Sequence, residues 1–197
     1  FVLNPMRWDS VVTVDALLVF VGYGIVAPEY EWNDYAGLDV KGKVVAVMVN
    51  DPGLHDSTTF KGKVLTYYAR WTYKFEEAAR QGAAGVLLIH TEESATYPWG
   101  TVEGSATGRQ VRLESAPTSL KVTGWVQHDL MARAFKPAGA DLDRAMAEAG
   151  KRGFVGSELP IRVAASVRST MTRTEIFNVL GRLPGNGGPL AKETVVL

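Results

Sequence analysis

Short continuous apolar runs in the first half of the chain predict buried strands. Leu17-Leu18-Val19-Phe20-Val21 is one, ended by Gly22-Tyr23-Gly24. Val44-Val45-Ala46-Val47-Met48-Val49 is the second, closed by the turn-forming Asn50-Asp51-Pro52-Gly53. Between them, residues 25–38 read as a loop that packs Tyr30, Trp32 and Tyr35 against the body. Next, Phe75, Ala78, Ala79 and Gly82 recur at i, i+3, i+4 and i+7, which predicts a helix over 73–81. On that phase Ala79 faces the sheet and Glu77 faces solvent, so Glu77→Ala is expected to change little. Arg80 in the last turn suits the helix dipole, and Gly82 is placed to end the helix. Gly85-Val86-Leu87-Leu88-Ile89-His90 is the third strand. Strand, helix and strand make a β-α-β crossover with parallel strands.

Residues 91–117 are polar and rich in Gly, Ser and Thr, and so long a connection should hold a hairpin or be functional. Val111 and Leu113 suit a short strand there. Ser119-Leu120-Lys121-Val122 reads as a strand running into Thr123 as a helix cap, and the segment 125–135 then places Val126, Leu130 and Ala134 on one helical face. A further helix carries Leu142, Ala145, Met146 and Ala149 between Asp141 and Gly150. Strict alternation of Leu159, Ile161, Val163, Ala165 and Val167 with outward residues marks a strand with one wet face. A strand over 176–183, a loop over 184–189 and a strand begun by Val195-Val196-Leu197 follow. The chain opens on Phe1 without a signal segment and closes within a strand pattern, so both ends read as cut ends of a larger protein.

Composition narrows the function classes. The chain has 197 residues, 46% hydrophobic and 21% charged, with 21 basic against 21 acidic side chains. That is the profile of a globular protein, with no basic surplus to favour nucleic acid and no run long enough to span a membrane. The absence of cysteine excludes disulfides, thiolate zinc sites and a cysteine nucleophile. Three histidines, His55, His90 and His128, are a thin supply for metal or acid–base chemistry. Asp51, His55 and Asp56 share a loop, where a solvated turn with Asp caps is the plainer reading than a metal site. His90 ends a buried strand and suits polar strand-end duty, while His128 beside Asp129 suits a helix surface. Gly22-Tyr23-Gly24 lacks the third glycine and immediate helix of a dinucleotide loop, and no Ser stands in a Gly-x-Ser-x-Gly context.

Aromatic and basic residues concentrate in Tyr67-Tyr68-Ala69-Arg70-Trp71-Thr72-Tyr73-Lys74, with Tyr97 and Trp99 further on. Such residues anchor binding surfaces and also cover cores. Tyr97, Trp99, Arg70 and Trp71 are the candidate binding residues. Flanked by Pro98 and Gly100 on a polar loop, Trp99 is expected to matter little for stability.

The run Gly37-Leu38-Asp39-Val40-Lys41-Gly42-Lys43-Val44-Val45-Ala46-Val47 resembles the first hallmark of the protease-associated (PA) domain. A second follows in Arg70 and Phe75-Glu76-Glu77-Ala78-Ala79-Arg80-Gln81-Gly82-Ala83-Ala84-Gly85-Val86-Leu87-Leu88-Ile89, and a third in Ala116-Pro117-Thr118-Ser119-Leu120-Lys121-Val122. The pattern departs from the commonest form at Ala69 and Trp71 and in the 91–116 loop. The loops resemble the branch carried by bacterial zinc aminopeptidases of the di-zinc exopeptidase family. Phe177-Asn178-Val179-Leu180-Gly181-Arg182-Leu183-Pro184-Gly185 and Glu193-Thr194-Val195-Val196-Leu197 are similar to the opening hairpin of that family's catalytic domain.

The resemblance implies a mixed, β-rich α/β fold of the PA β/β/α type, with two packed sheets, helices on one side and the β-α-β crossover. It implies a lead-in over 1–14, a PA-like domain over 15–170 and the first hairpin of a truncated catalytic domain over 171–197. It further implies a non-catalytic lid or specificity module of a secreted or periplasmic zinc aminopeptidase. Its partners would be the parent's catalytic domain and the peptide substrate, with no nucleic acid and no membrane. No zinc ligand or catalytic residue of that family has a matching position here, so zinc is expected in the missing catalytic domain and none in this chain. Two alternatives stay open: a free-standing peptide- or protein-binding module, and a small-molecule enzyme built at the ends of the parallel strands.

Overall fold

A computed structural model describes residues 1–113, 118–181, 187–188 and 193. Among the described residues, eight strands and five α-helices follow the chain as β1 (Val2–Pro5), β2 (Val11–Phe20), β3 (Val26–Ala27), β4 (Trp32–Asn33), β5 (Val44–Met48), α1 (Trp71–Arg80), β6 (Gly85–His90), α2 (Glu92–Ala95), α3 (Trp99–Ala106), β7 (Val122–Gln127), α4 (His128–Phe135), α5 (Leu142–Ala149) and β8 (Ser157–Arg168). Six strands form one mixed sheet in the order β1-β7-β6-β5-β2-β8, and β3 with β4 forms a second, small sheet. The fold is mixed α/β. The central strands β2, β5, β6 and β7 run parallel, and β1 and β8 close the edges antiparallel.

Burial explains the apolar runs. All residues of β5 and β6 are buried because both faces of the sheet are covered. On one face, Val44, Ala46, Leu87, Ile89, Val122 and Val126 pack with Met131 and Phe135 of α4 and Leu142 and Ala149 of α5. On the other, Val45, Val47, Val86, Leu88 and Trp125 pack with Ala78 of α1 and Val102 of α3. Helices therefore cover both faces, where the resemblance implied one side. The crossover β5-α1-β6 is present, with Val44 opposite Gly85 in parallel register. Gly82 follows α1 at φ +80°, a conformation that favours glycine.

Other expectations need correction. Thr123 is no helix cap: residues 122–127 are β7, hydrogen-bonded between β6 and β1, and α4 begins only at His128. Val126 fits both a helical and a strand period, and the two open strand edges decide for the strand. The buried face of α4 accordingly holds Met131 and Phe135, one position on from Leu130 and Ala134. The segment after β6 holds α2 and α3 rather than a hairpin, and Val111 and Leu113 are exposed and in no strand. Residues 176–181 form no regular element. The rest of the expected C-terminal strands (182–183 and 195–197) and of the loop over 184–189, apart from 187–188, lie outside the described residues, as do residues 114–117. Residues of the lead-in belong to the sheet through β1 and the start of β2.

The alternating strand is β8, and its register against β2 shifts between Leu17 and Leu18. Leu17 faces Arg162 while Leu18 faces Leu159, so Pro160 and Ile161 fall in the irregularity. Proline cannot donate to a ladder, and this is where a strand tolerates it.

Candidate functional site

The carboxyl ends of β5 and β6 open onto two connections, residues 49–70 and 91–98, and the N-terminus of α1 lies between them. Asn50 joins these pieces. It takes φ +73°, a left-handed conformation asparagine tolerates better than most residues. Its backbone N–H donates to Ala69 O at 3.2 Å and its Nδ2 to Ser94 O at 3.2 Å, while its Oδ1 accepts from Asp51 N at 2.9 Å. Its carbonyl accepts from Lys74 Nζ at 2.8 Å.

Lys74 is 0% exposed, an amine inside the protein. Its Nζ lies 5.8 Å from the ring centres of both Tyr23 and Tyr73. Asp34 and Asp51 supply nearby negative charge. Burial pushes the lysine down to about 7, with those carboxylates opposing the shift. Burial pushes Asp34 up to about 7, against the hydrogen bonds it accepts from Ile25 N at 3.0 Å and Trp32 Nε1 at 2.7 Å. Tyr23 is raised too, by burial first and then by Asp51. Asp51 accepts from Gly53 N at 2.9 Å and from Thr66 Oγ1 at 2.6 Å, so it staples the 49–70 loop to itself.

A second group is an aromatic cluster. The Trp125 ring of β7 lies 6.5 Å from Trp71, 6.3 Å from Tyr97 and 6.1 Å from His90. Trp99 stands edge-on to His90 at 5.4 Å. Three of the four candidate binding residues are thus brought together around two buried rings that the sequence reading did not select for this purpose. Tyr97 and Trp99 are half-buried against the core, so the expectation that Trp99 is dispensable for packing is corrected. Trp71 and Arg70 are exposed. The signal missed was Trp125, hidden by assigning it to a helix, and Lys74, which lay off the helical face read from Phe75, Ala78 and Ala79.

Glu77 is a second correction. It is 5% exposed and accepts from Arg80 Nε and Gln81 Nε2, each at 2.8 Å. The buried face of α1 is Tyr73, Lys74, Glu77 and Ala78, while Ala79 is half-buried.

The three histidines have local duties. His90 Nε2 lies 3.0 Å from Tyr97 O, at the end of β6 as expected. His128 sits between Asp129 Oδ1 at 3.3 Å and Asp143 Oδ1 at 2.7 Å, linking α4 to α5. His55 faces Glu93 at 3.8 Å, while Asp56 accepts from the backbone and hydroxyl of Thr58. Among the described residues no group of three or more His, Asp or Glu side chains gathers where it could hold a metal ion. An open groove of about 520 Å³ runs between Tyr23, Met48 and His55 and the α5 residues Met146 and Ala147. No helix among the described residues is long and apolar enough to cross a membrane.

No family model matches the chain, and no curated protein matches it. Among solved structures, an aminopeptidase from Aneurinibacillus sp. strain AM-1 is similar at a TM-score of 0.34 and 18% identity. The match covers 80% of this chain and 27% of that one, so the chain spans about a quarter of that enzyme's length.

Proposed function

We propose that this chain is a non-catalytic module of the protease-associated kind, carried by a secreted or periplasmic zinc aminopeptidase. In this reading it lies beside the active-site cleft as a lid or specificity element. Its partners are the catalytic domain of the same parent and the peptide substrate, and the zinc belongs to that catalytic domain. The observation that carries the reading is the grouping of Trp71, Tyr97 and Trp99 around Trp125 and His90 at the carboxyl end of the parallel strands, with Arg70 next to Trp71 in the chain. Crevices outside that edge are where open α/β sheets take ligands. Arg70 and Trp71 stand exposed at the start of α1, while Glu77 nearer its other end is buried and accepts from Arg80. The order of the three PA-like motifs along the chain supports the same reading.

The test uses a protein that holds this chain together with its peptidase domain. Trp71→Ala should raise KM or change substrate preference, with kcat for the smallest substrate and zinc content unchanged. Unaltered kinetics across a panel of peptides, or a parent without a downstream His-x-Asp motif, would overturn the assignment.

A further inference from the structure

We propose that residues 61–71 form a docking surface for an acidic, apolar-bearing segment of a protein partner. The inference rests on the reading of this chain as a binding module, and not on the parent being a peptidase. Four large apolar side chains stand out from this stretch: Val64 is 66% exposed, Leu65 61%, Tyr67 54% and Trp71 46%. Scattered single apolar residues need no explanation, but four within eight positions mark a contact site.

Charge identifies the occupant. Lys61, Lys63 and Arg70 are exposed between those side chains, and the stretch contains no carboxylate. Some cations elsewhere are matched, as Arg80 is by Glu77, Lys151 by Glu148 and Arg162 by Asp15. None of Lys61, Lys63 and Arg70 has an ion-pair partner among the described residues. Carboxylates border the stretch without pairing its cations: Glu76 accepts from Tyr67 Oη, Glu29 from Tyr68 Oη, and Asp56 from Thr58. Three exposed cations without an ion pair, interleaved with apolar groups, fit a strand or loop that alternates carboxylates with Leu- or Phe-like side chains. An anionic membrane is the poorer fit, since stable lipid recognition uses a denser run of basic residues.

The surface is held in shape before any partner arrives. Phe60 is buried, stacked on Tyr30 at 4.5 Å and edge-on to Trp32 and Tyr68. Thr66 is tied to Asp51, and Tyr68 Oη donates to Glu29. A loop anchored on both sides loses little freedom on binding.

The full chain is titrated with a short synthetic peptide that alternates Glu with Leu and Phe, followed by amide chemical shifts and tryptophan fluorescence. Shifts confined to residues 61–71 and their neighbours, weakening as salt rises, are the expected result. The triple variant Lys61→Glu, Lys63→Glu, Arg70→Glu should lose affinity about tenfold or more and gain affinity for the matching Lys peptide. Leu65→Ser, a milder change, should weaken the Glu peptide as well. The proposal is overturned if the Lys peptide binds the unaltered chain as tightly or if only phosphatidylserine vesicles bind. It is also overturned if the same resonances shift through self-association, or if nothing binds up to about 1 mM. Such a failure would leave a Trp71→Ala effect on peptidase KM standing.

Discussion

Lys74 Nζ donates to the carbonyl oxygen of Asn50 at 2.8 Å, joining the first turns of α1 to the residue that follows β5 and its neighbour Val49. Both groups are inside the protein, and each has few alternatives. An ammonium carries three donors and no acceptor, so a buried one must be met by oxygens or lose its proton. Asn50 lies beyond the end of β5 in a left-handed conformation, and its carbonyl takes its hydrogen bond from Lys74. Each residue answers the other's cost.

The Lys74 shift sets a pH dependence. Its folded value is near 7, below the unfolded lysine value of about 10.4, so between those limits the folded state binds fewer protons than the unfolded one. Stability therefore climbs from about pH 7 to about pH 10. Asp34, raised to about 7, acts oppositely: its contribution is present below the unfolded carboxylate value and is lost as pH rises to about 7. Urea midpoints should pass through a minimum near neutrality. Lys74→Met should abolish the alkaline rise, and a Met variant that keeps the rise would assign it to another group.

Glu77→Ala should destabilise by about 2 kcal/mol, because it strips Arg80 and Gln81 of a buried acceptor. Ala79→Glu should cost about 1 kcal/mol, since a half-buried carboxylate can reach water. Denaturant unfolding of the two variants checks the order, which is the reverse of the one the helical periodicity suggests.

Gly124→Ala should open the β1–β7 pair. A Cβ there would stand 2.2 Å from Val2 O and 2.7 Å from Leu3 Cδ2. Displacing the edge strand should cost about 1–3 kcal/mol. Hydrogen exchange should quicken at the amides of β1 before the rest of the sheet responds.

Trp99→Ala should lower the melting temperature by several degrees, equivalent to about 1–2 kcal/mol, since the ring stands edge-on to His90 and packs against the hydrophobic core. Trp71→Ala should cost under about 1 kcal/mol, its ring being almost half exposed. Calorimetry on both variants separates the packing ring from the presented one.

Asp141→Ala should cost about 1 kcal/mol, through loss of the cap that Asp141 Oδ1 makes to Arg144 N at 2.9 Å. Circular dichroism during thermal unfolding reports it, and an unchanged melting curve would show that α5 is held by Leu142 and Ala149 alone.

By itself the sequence determined the elements whose reason is local or strongly periodic. Runs such as 44–49 and 85–90 are apolar on every residue, which demands cover on both faces, and the crossover between them follows. The caps at Asp141 and Gly82 and the alternation of 159–167 were legible for the same reason, because turn chemistry and a period of two act within a few residues. What the tertiary structure decided is the choice between periods that share positions. Val126 satisfied a helix and a strand equally, and the open edges of β6 and β1 chose the strand, bringing Trp125 against Trp71, Tyr97 and His90. The phase of α1 was decided likewise: Lys74 and Glu77 are buried because Asn50, Asp34, Arg80 and Gln81 meet them there. Such partners lie tens of residues apart in several cases, and no pattern of polarity along a chain encodes which charge another loop will supply.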